Sequence, residues 1–333
     1  MRLTATDEAL HLPPDPLPDN WQENLFFILW NTSTCDGFMM HVQRVPGRGV
    51  QEARIVARAG GRSASATLTG PYRVERPVDG VTLGVGTAYH DLTVRAEFAG
   101  SPDPGPLGFV AAHSGGDVPV LVDARLRSDL EPVDFAEGLA HMVSLLRSDA
   151  SAPQMGDQAH YEQGGRWSGV LRVGTAEVRG SGLFVRDHSW GVRHEHNDFR
   201  AFWTATCLDD GRVFCNAIGI PRGDGYAGIG AIADADGVRF ARRVSAVFRP
   251  SPGLCTYDRS EVTYAEGIDL VVRGETQQHW PLYLPFSGRD RYDNNAISTV
   301  TADGRQGFSV MEWATTLLPE QTAVLDEAAT RRA

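Results

Sequence analysis

Apolar residues fall largely at alternate positions along this chain, which is the two-residue period of a strand with one face buried. From Phe199 the run Phe-Arg-Ala-Phe-Trp-Thr-Ala-Thr-Cys reaches Asp209-Asp210-Gly211 and returns as Arg-Val-Phe-Cys-Asn-Ala-Ile-Gly-Ile. This predicts two strands joined by an Asp-Gly turn. Asp79-Gly80, Asp236-Gly237 and Asp303-Gly304 also sit between apolar or β-branched stretches, so consecutive hairpins and an antiparallel meander are expected. The pattern fits a barrel and a sandwich equally.

One segment departs from it. Leu139, Met142, Val143 and Leu146 recur at helical spacing and predict a short amphipathic linking helix. The polar stretch from Ser148 to Gln158 follows, with Pro153 and Gly156, and marks a domain boundary near residue 155. The expected organisation is an extension over residues 1–20, β domains over 21–155 and 156–320, and a frayed helical tail over 321–333.

Composition agrees with two domains, since 333 residues exceed what one core usually serves. A net charge of −11 excludes a basic surface for polyanions, so no nucleic-acid partner is expected. Met1 to Asn20 is rich in Pro and Asp and lacks the layout of a secretory leader. No run approaches the roughly 20 apolar residues of a membrane span. A cytoplasmic protein without a transmembrane segment is therefore expected. Cys35, Cys207, Cys215 and Cys255 form no C-x-x-C pair and read as reduced, buried thiols.

The densest cluster of chemical groups is Arg186-Asp187-His188-Ser189-Trp190-Gly191. In extended backbone His188 and Trp190 share one face, and Asp187 and Ser189 the other. The first face would offer an imidazole and a π surface. On the second, Asp187 would fix backbone amides or Arg186. A hydrogen-bonded strand corner with a core tryptophan is the alternative. His194-Glu195-His196 with Asp198 offers alternate imidazoles but no third ligand by spacing, so a solvated loop and no metal are expected. Gly228-Ile229-Gly230 lacks the third glycine and helix of a dinucleotide site, and no cofactor is expected. Ser189 lacks a nucleophile elbow. Trp21, Phe26, Phe27, Trp30, Trp203, Trp280 and Trp313 are candidates to line a cavity.

Several segments together resemble the second-domain signature of the carotenoid hydratase superfamily: His160-Tyr161-Glu162-Gln163, Arg166-Trp167-Ser168-Gly169, Gly180-x-Gly182 and Arg186 to Gly191. Trp21-x-Glu23-Asn24-x-Phe26 and Gly307-Phe308-x-Val310-x-Glu312 resemble its flanks. The group includes hydroxyneurosporene synthases, kievitone hydratase-like enzymes and, more distantly, fungal Diels–Alderases. The resemblance implies an all-β chain of two lipocalin-like antiparallel barrels in tandem, with a cavity for an isoprenoid, polyketide or related alkene. An alkene is a poor base, so its protonation requires a carboxylic acid kept neutral by apolar surroundings, or an imidazolium pressed against it. Water capture of the cation gives hydration; capture by another alkene or a hydroxyl gives cyclisation; proton loss gives isomerisation or dehydration.

In carotenoid hydratases a Tyr-x-Asp pair on a later strand carries the acid. By spacing, Cys215 and Ala217 stand there in this chain. The acid must then come from elsewhere, among Asp187, Glu162, Glu195 and Glu312. The expected catalytic residues are Asp187, His188, Trp190 and Glu162, with Trp203, Cys215, Ala217 and Trp21 against a hydrophobic small-molecule substrate. A non-catalytic carrier of such a ligand is the second expectation.

Overall fold

A computed structural model describes residues 3–102, 116–135, 158–192, 201–222, 225–250, 257–286 and 289–316. The strands are antiparallel throughout and form two sheets. The first sheet contains β1 (Trp21–Trp30), β2 (Gly37–Val45), β3 (Val50–Ala59), β4 (Arg62–Pro71), β5 (Val81–Thr87), β6 (Asp91–Pro102), β7 (Val118–Arg127), β8 (Val133–Asp134), β9 (Gln158–Val173) and β10 (Ala176–Val192). Its order is β10-β1-β2-β3-β4-β6-β7-β9, and β9 pairs with β10, so the ladder returns on itself. Strand β5 pairs with β6 and strand β8 with β9. The second sheet is a closed eight-strand barrel of β11 (Ala201–Leu208), β12 (Val213–Arg222), β13 (Gly225–Asp234), β14 (Gly237–Pro250), β15 (Tyr257–Ala265), β16 (Leu270–Phe286), β17 (Arg289–Ala302) and β18 (Arg305–Thr316). The chain is thus all-β, with tandem lipocalin-like barrels.

The turn chemistry builds these hairpins. Asp303 and Gly304 both have positive φ, 49° and 76°, the twist a two-residue hairpin needs between β17 and β18. Asp209-Asp210-Gly211 turns β11 into β12, and Gly237 begins β14 after Asp236. Asp79-Gly80 makes a tight turn closed by a bridge between Val78 and Val81, at the start of β5 rather than between two long strands.

All ten residues of β1 are buried, because both faces of the strand are covered. Leu25, Phe27 and Leu29 pack inside the first ring with Phe38, Val94 and Trp167. Phe26, Ile28 and Trp30 face outward and pack with Trp203, Phe214 and Trp280 of the second barrel. A third cluster, with Phe202, Cys215, Val244, Tyr264 and Met311, fills the interior of the second barrel. The two units therefore share one apolar seam in addition to their own cores.

Two parts of the expected domain plan change. Strands β9 and β10, expected in the second domain, are bonded into the first sheet, β9 along β7 and β10 along β1. They supply the staves that close the ring, and the change of sheet comes between Val192 and Ala201. The polar composition before β9 is therefore not a sheet boundary. The expected extension is also part of the first unit: Ala5–Glu8 forms a short 3-10 turn, Glu8 is buried and Leu10 packs against the core. The expected linking helix, the cut near 155 and the tail lie outside the described residues, as does Cys255. Cys35, Cys207 and Cys215 are free thiols.

Candidate active site

Strand β10 presents its two faces to different units. Leu183 and Val185 face the seam and Phe184 the first core. Continuing the alternation, Arg186, His188 and Trp190 project into the first ring, and Asp187 and Ser189 towards the seam. The expected division of the Arg186–Gly191 segment is thus present, with the imidazole and indole centroids of His188 and Trp190 4.9 Å apart.

On the seam face Glu162 of β9 lies opposite Asp187 of β10 in register. Glu162 is wholly buried. Trp203 Nε1 of β11 donates to its Oε1 at 2.6 Å, and Asn216 Nδ2 of β12 to its Oε2 at 3.1 Å. An acid of the first sheet is therefore held by two donors of the second barrel. His160 Nε2 lies 3.3 Å from Glu162 and 3.9 Å from Asp187, and its ring stacks on Phe135 at 4.7 Å. The side chains of His160 and Asp187 are 21% and 20% exposed, so the cluster meets solvent at this edge. Burial pushes the Glu162 carboxyl well above the usual carboxylate range and the neighbouring Asp187 adds to this, outweighing the hydrogen bonds from Trp203 and Asn216. The arrangement is a buried carboxyl that burial biases towards its protonated form, behind the more exposed side chains of Asp187 and His160.

The opposite face is a charged network. Glu8 accepts from Arg186 Nη2 at 2.9 Å, from Tyr161 Oη at 3.0 Å and from the backbone N–H of Tyr89 at 2.8 Å. Burial opposes ionisation of Glu8, but Arg186 and these hydrogen bonds hold its carboxyl below the ordinary range. Glu23 accepts from His11 Nδ1 and His188 Nε2, both at 2.9 Å, and from Arg44. Burial raises Glu23, yet the hydrogen bonds from His11 and His188, the charge of His188 when it is protonated and that of Arg44 bring it down to about 2. Burial pushes His188 down, towards a neutral imidazole. The ring of His11 stacks on Trp190 at 3.9 Å. His11, Glu23 and His188 have the donor types of a metal site, but Arg44 already satisfies the second oxygen of Glu23, and a cation added here would face that guanidinium.

Of the expected residues, Glu162, Asp187 and Trp203 come together, while His188 and Trp190 lie on the reverse face. Of the two partners expected for Asp187, backbone amides or Arg186, the second is not met, because Arg186 points the other way, to Glu8, Tyr161 and Gln163. Cys215 and Ala217 belong to the interior of the second barrel, on the face of β12 opposite Asn216. Trp21 opens β1 opposite Val192, two residues from Glu23 on the same face. Phe26 meets Trp203 edge-on at 5.6 Å, and Trp30 meets Trp280 at 5.4 Å. Phe27 is in the first core. The His194 to Asp198 stretch and Glu195 lie outside the described residues. A groove of about 1300 Å³ elsewhere on the surface is lined by Asn31, Ser181, Asp209, Arg249, Arg273 and Gly307, away from Glu162 and Asp187.

Sequence reasoning missed Asn216, Glu8 and Glu23 as participants. Asn216 carried a signal, as a polar residue within the apolar run Phe214 to Ile218. Glu8 carried none, because its partner lies 178 residues away.

Among the described residues no helix is long and apolar enough to cross a membrane. No curated protein matches the sequence. Solved structures share the fold. A putative AttH from Nitrosomonas europaea superposes with a TM-score of 0.56 at 15% identity, covering 92% of this chain and 96% of that one. Kievitone hydratase from Nectria haematococca gives 0.51 at 10% identity over 94% and 93% of the chains. CghA gives 0.51 at 12% identity over 90% and 89%. The motif resemblance to kievitone hydratase-like proteins thus extends to the fold. From residue 4 to residue 317 the sequence matches the family described as a domain of unknown function, DUF7064, and the chain belongs to that family.

Proposed function

We propose that this protein is an enzyme acting on an apolar, alkene-containing small molecule by acid-assisted hydration, dehydration or cyclisation. The observation that carries the reading is Glu162, a wholly buried carboxyl at the seam between the two barrels, set opposite Asp187 and bonded by Trp203 and Asn216; its burial favours the protonated form. Glu162 transfers its proton to an alkene carbon and becomes a carboxylate, and the positive charge passes to the substrate. Trp203 and Asn216 already donate to the two carboxyl oxygens, so the anion is stabilised without rearrangement. The cation gains from the Asp187 carboxylate and from an aromatic wall such as Phe26 and Trp203. Water adds to the cation and returns a proton to Glu162, completing hydration; attack by an internal alkene or hydroxyl, followed by proton loss to Glu162, gives a ring. His160 and Asp187, at the solvent edge, exchange protons with water. A positioned acid contributes roughly 10² to 10⁴ in rate.

Kievitone hydratase and CghA have this fold, and the name of the first is that of a hydratase, which supports the reaction class. A carrier is the second reading, favoured by the absence of an acid at Cys215 and Ala217, both packed in the core. Mass spectrometry of ligands co-purifying with the protein, followed by incubation with them, separates the two. Conversion that Glu162→Gln abolishes supports the enzyme. A bound hydrophobic metabolite that never changes supports the carrier.

A further inference from the structure

The N-terminal turn Ala5–Glu8 sets one carboxylate against both strands that carry the acid pair. Glu8 binds Tyr161 and Arg186, which immediately precede Glu162 and Asp187 on β9 and β10. Alternation puts these contacts on the reverse face of the sheet from the two carboxyls. Arg186 is 2% exposed, so little water screens its charge. Both of its terminal nitrogens bond Glu8. Without that counter-charge, the field of the guanidinium would act across one sheet thickness on Glu162, where a cation favours ionisation.

We propose that Glu8 is a positioning residue for the acid pair, neutralising Arg186 and tying it to Tyr161 so that Glu162 remains a proton donor. This inference rests on the reading of Glu162 as the acid. The titratable groups nearest Glu162 are Asp187, His160 and Glu312 on the seam, with Tyr264 inside the second barrel within reach of its charge; those around Glu8 are Arg186, Tyr161, Tyr89 and His188. Arg186 is the permanently cationic member of this set, and Glu8 is the carboxylate bound to it.

Infrared spectroscopy of the whole protein across pH tests the idea without a substrate. Wild type should show the carbonyl stretch of a protonated carboxyl that is absent from Glu162→Gln, and its loss with rising pH reports the ionisation of Glu162. In Glu8→Gln the midpoint of that loss should fall by about one pH unit, the effect of a unit charge roughly 10 Å away at an effective dielectric of about 20. Glu8→Asp keeps the charge and should shift it less. The double variant Glu8→Gln, Arg186→Met removes both charges and should return the midpoint towards wild type, which a merely structural role for Glu8 would not produce. Circular dichroism checks that each variant is folded. If Glu8→Gln does not fold, Arg186→Met carries the test: it leaves the Glu8 carboxylate without its counter-charge and should raise the midpoint, and an unchanged midpoint there overturns the proposal. So does an unchanged midpoint in folded Glu8→Gln, or no recovery in the double variant. Absence of the Glu162 band from wild type would instead sink the acid reading, and this inference with it.

Discussion

The amide of Asn216 on β12 donates to the carboxyl of Glu162 on β9 at 3.1 Å, so a residue of one barrel fixes the acid of the other. The same side chain accepts from the backbone N–H of Ala231 at 3.1 Å, which locks its orientation. Replacing Asn216 with Ala removes both bonds and leaves buried groups unpaired, at about 1–3 kcal/mol each. Thermal denaturation should show that loss, and infrared spectroscopy should show a displaced Glu162 band.

Glu162→Gln keeps the shape and one of the two accepting oxygens, so it can still accept from Trp203 or from Asn216 but not from both, and it removes the acid. Turnover of a recovered natural substrate should fall at least about 10²-fold, with ligand binding retained. Equal turnover would eliminate Glu162 as the proton donor.

Asp187 raises Glu162 by its nearby negative charge. Asp187→Asn should therefore lower the pH at which Glu162 ionises, and the alkaline limb of the activity profile should move to lower pH. A limb moving to higher pH, or not at all, would show that the two carboxyls are uncoupled.

Glu162 and Glu23 act on stability in opposite directions. The folded-state value of Glu162 is raised, so its contribution is fully present below the ordinary carboxylate value and is lost as pH rises through the raised one. The melting temperature of Glu162→Gln should therefore move upward relative to that of wild type as pH rises. Glu23 is lowered to about 2 from 4.5, so its contribution is present above 4.5 and is lost as pH falls between these values. It is on the order of 3 kcal/mol at about 1.4 kcal/mol per pH unit. Acid unfolding of wild type, followed by circular dichroism, should fall in that window.

Trp280 is wholly buried in the seam and meets Trp30 at an interplanar angle of 83°. Trp280→Ala opens a cavity between the barrels and should cost about 3–5 kcal/mol, measured by denaturant unfolding. A cost near zero would mean that the seam contributes little to stability.

The hairpins around Asp209-Asp210-Gly211, Asp236-Gly237 and Asp303-Gly304 were legible because a turn is a local event, decided by which residues tolerate positive φ. The division of His188 and Trp190 from Asp187 was legible for the same reason, since alternation follows from extended backbone alone. What a face looks upon was not legible. Asp187 and His188 are adjacent in the chain, yet one meets the seam and the other a buried ion network, a difference set by β1, β9 and β11 far away in sequence. The ladder that binds β9 and β10 to the first sheet carries no compositional mark, because the alternation of a strand reads alike in either unit. Glu8 was hidden by the polar character of its neighbours, which resemble a solvated terminus.

The closure of the first ring by β9 and β10 bears on how this gene can be divided. A fragment ending near residue 155 would lack two of its staves and expose the unpaired edges of β1 and β7 to other chains, inviting aggregation. A fragment ending after Val192 keeps the whole ladder. Split-protein complementation and segmental isotope labelling should therefore use the second junction, although the resulting first fragment would still present to solvent the apolar wall of Phe26, Ile28 and Trp30 that its other half normally covers.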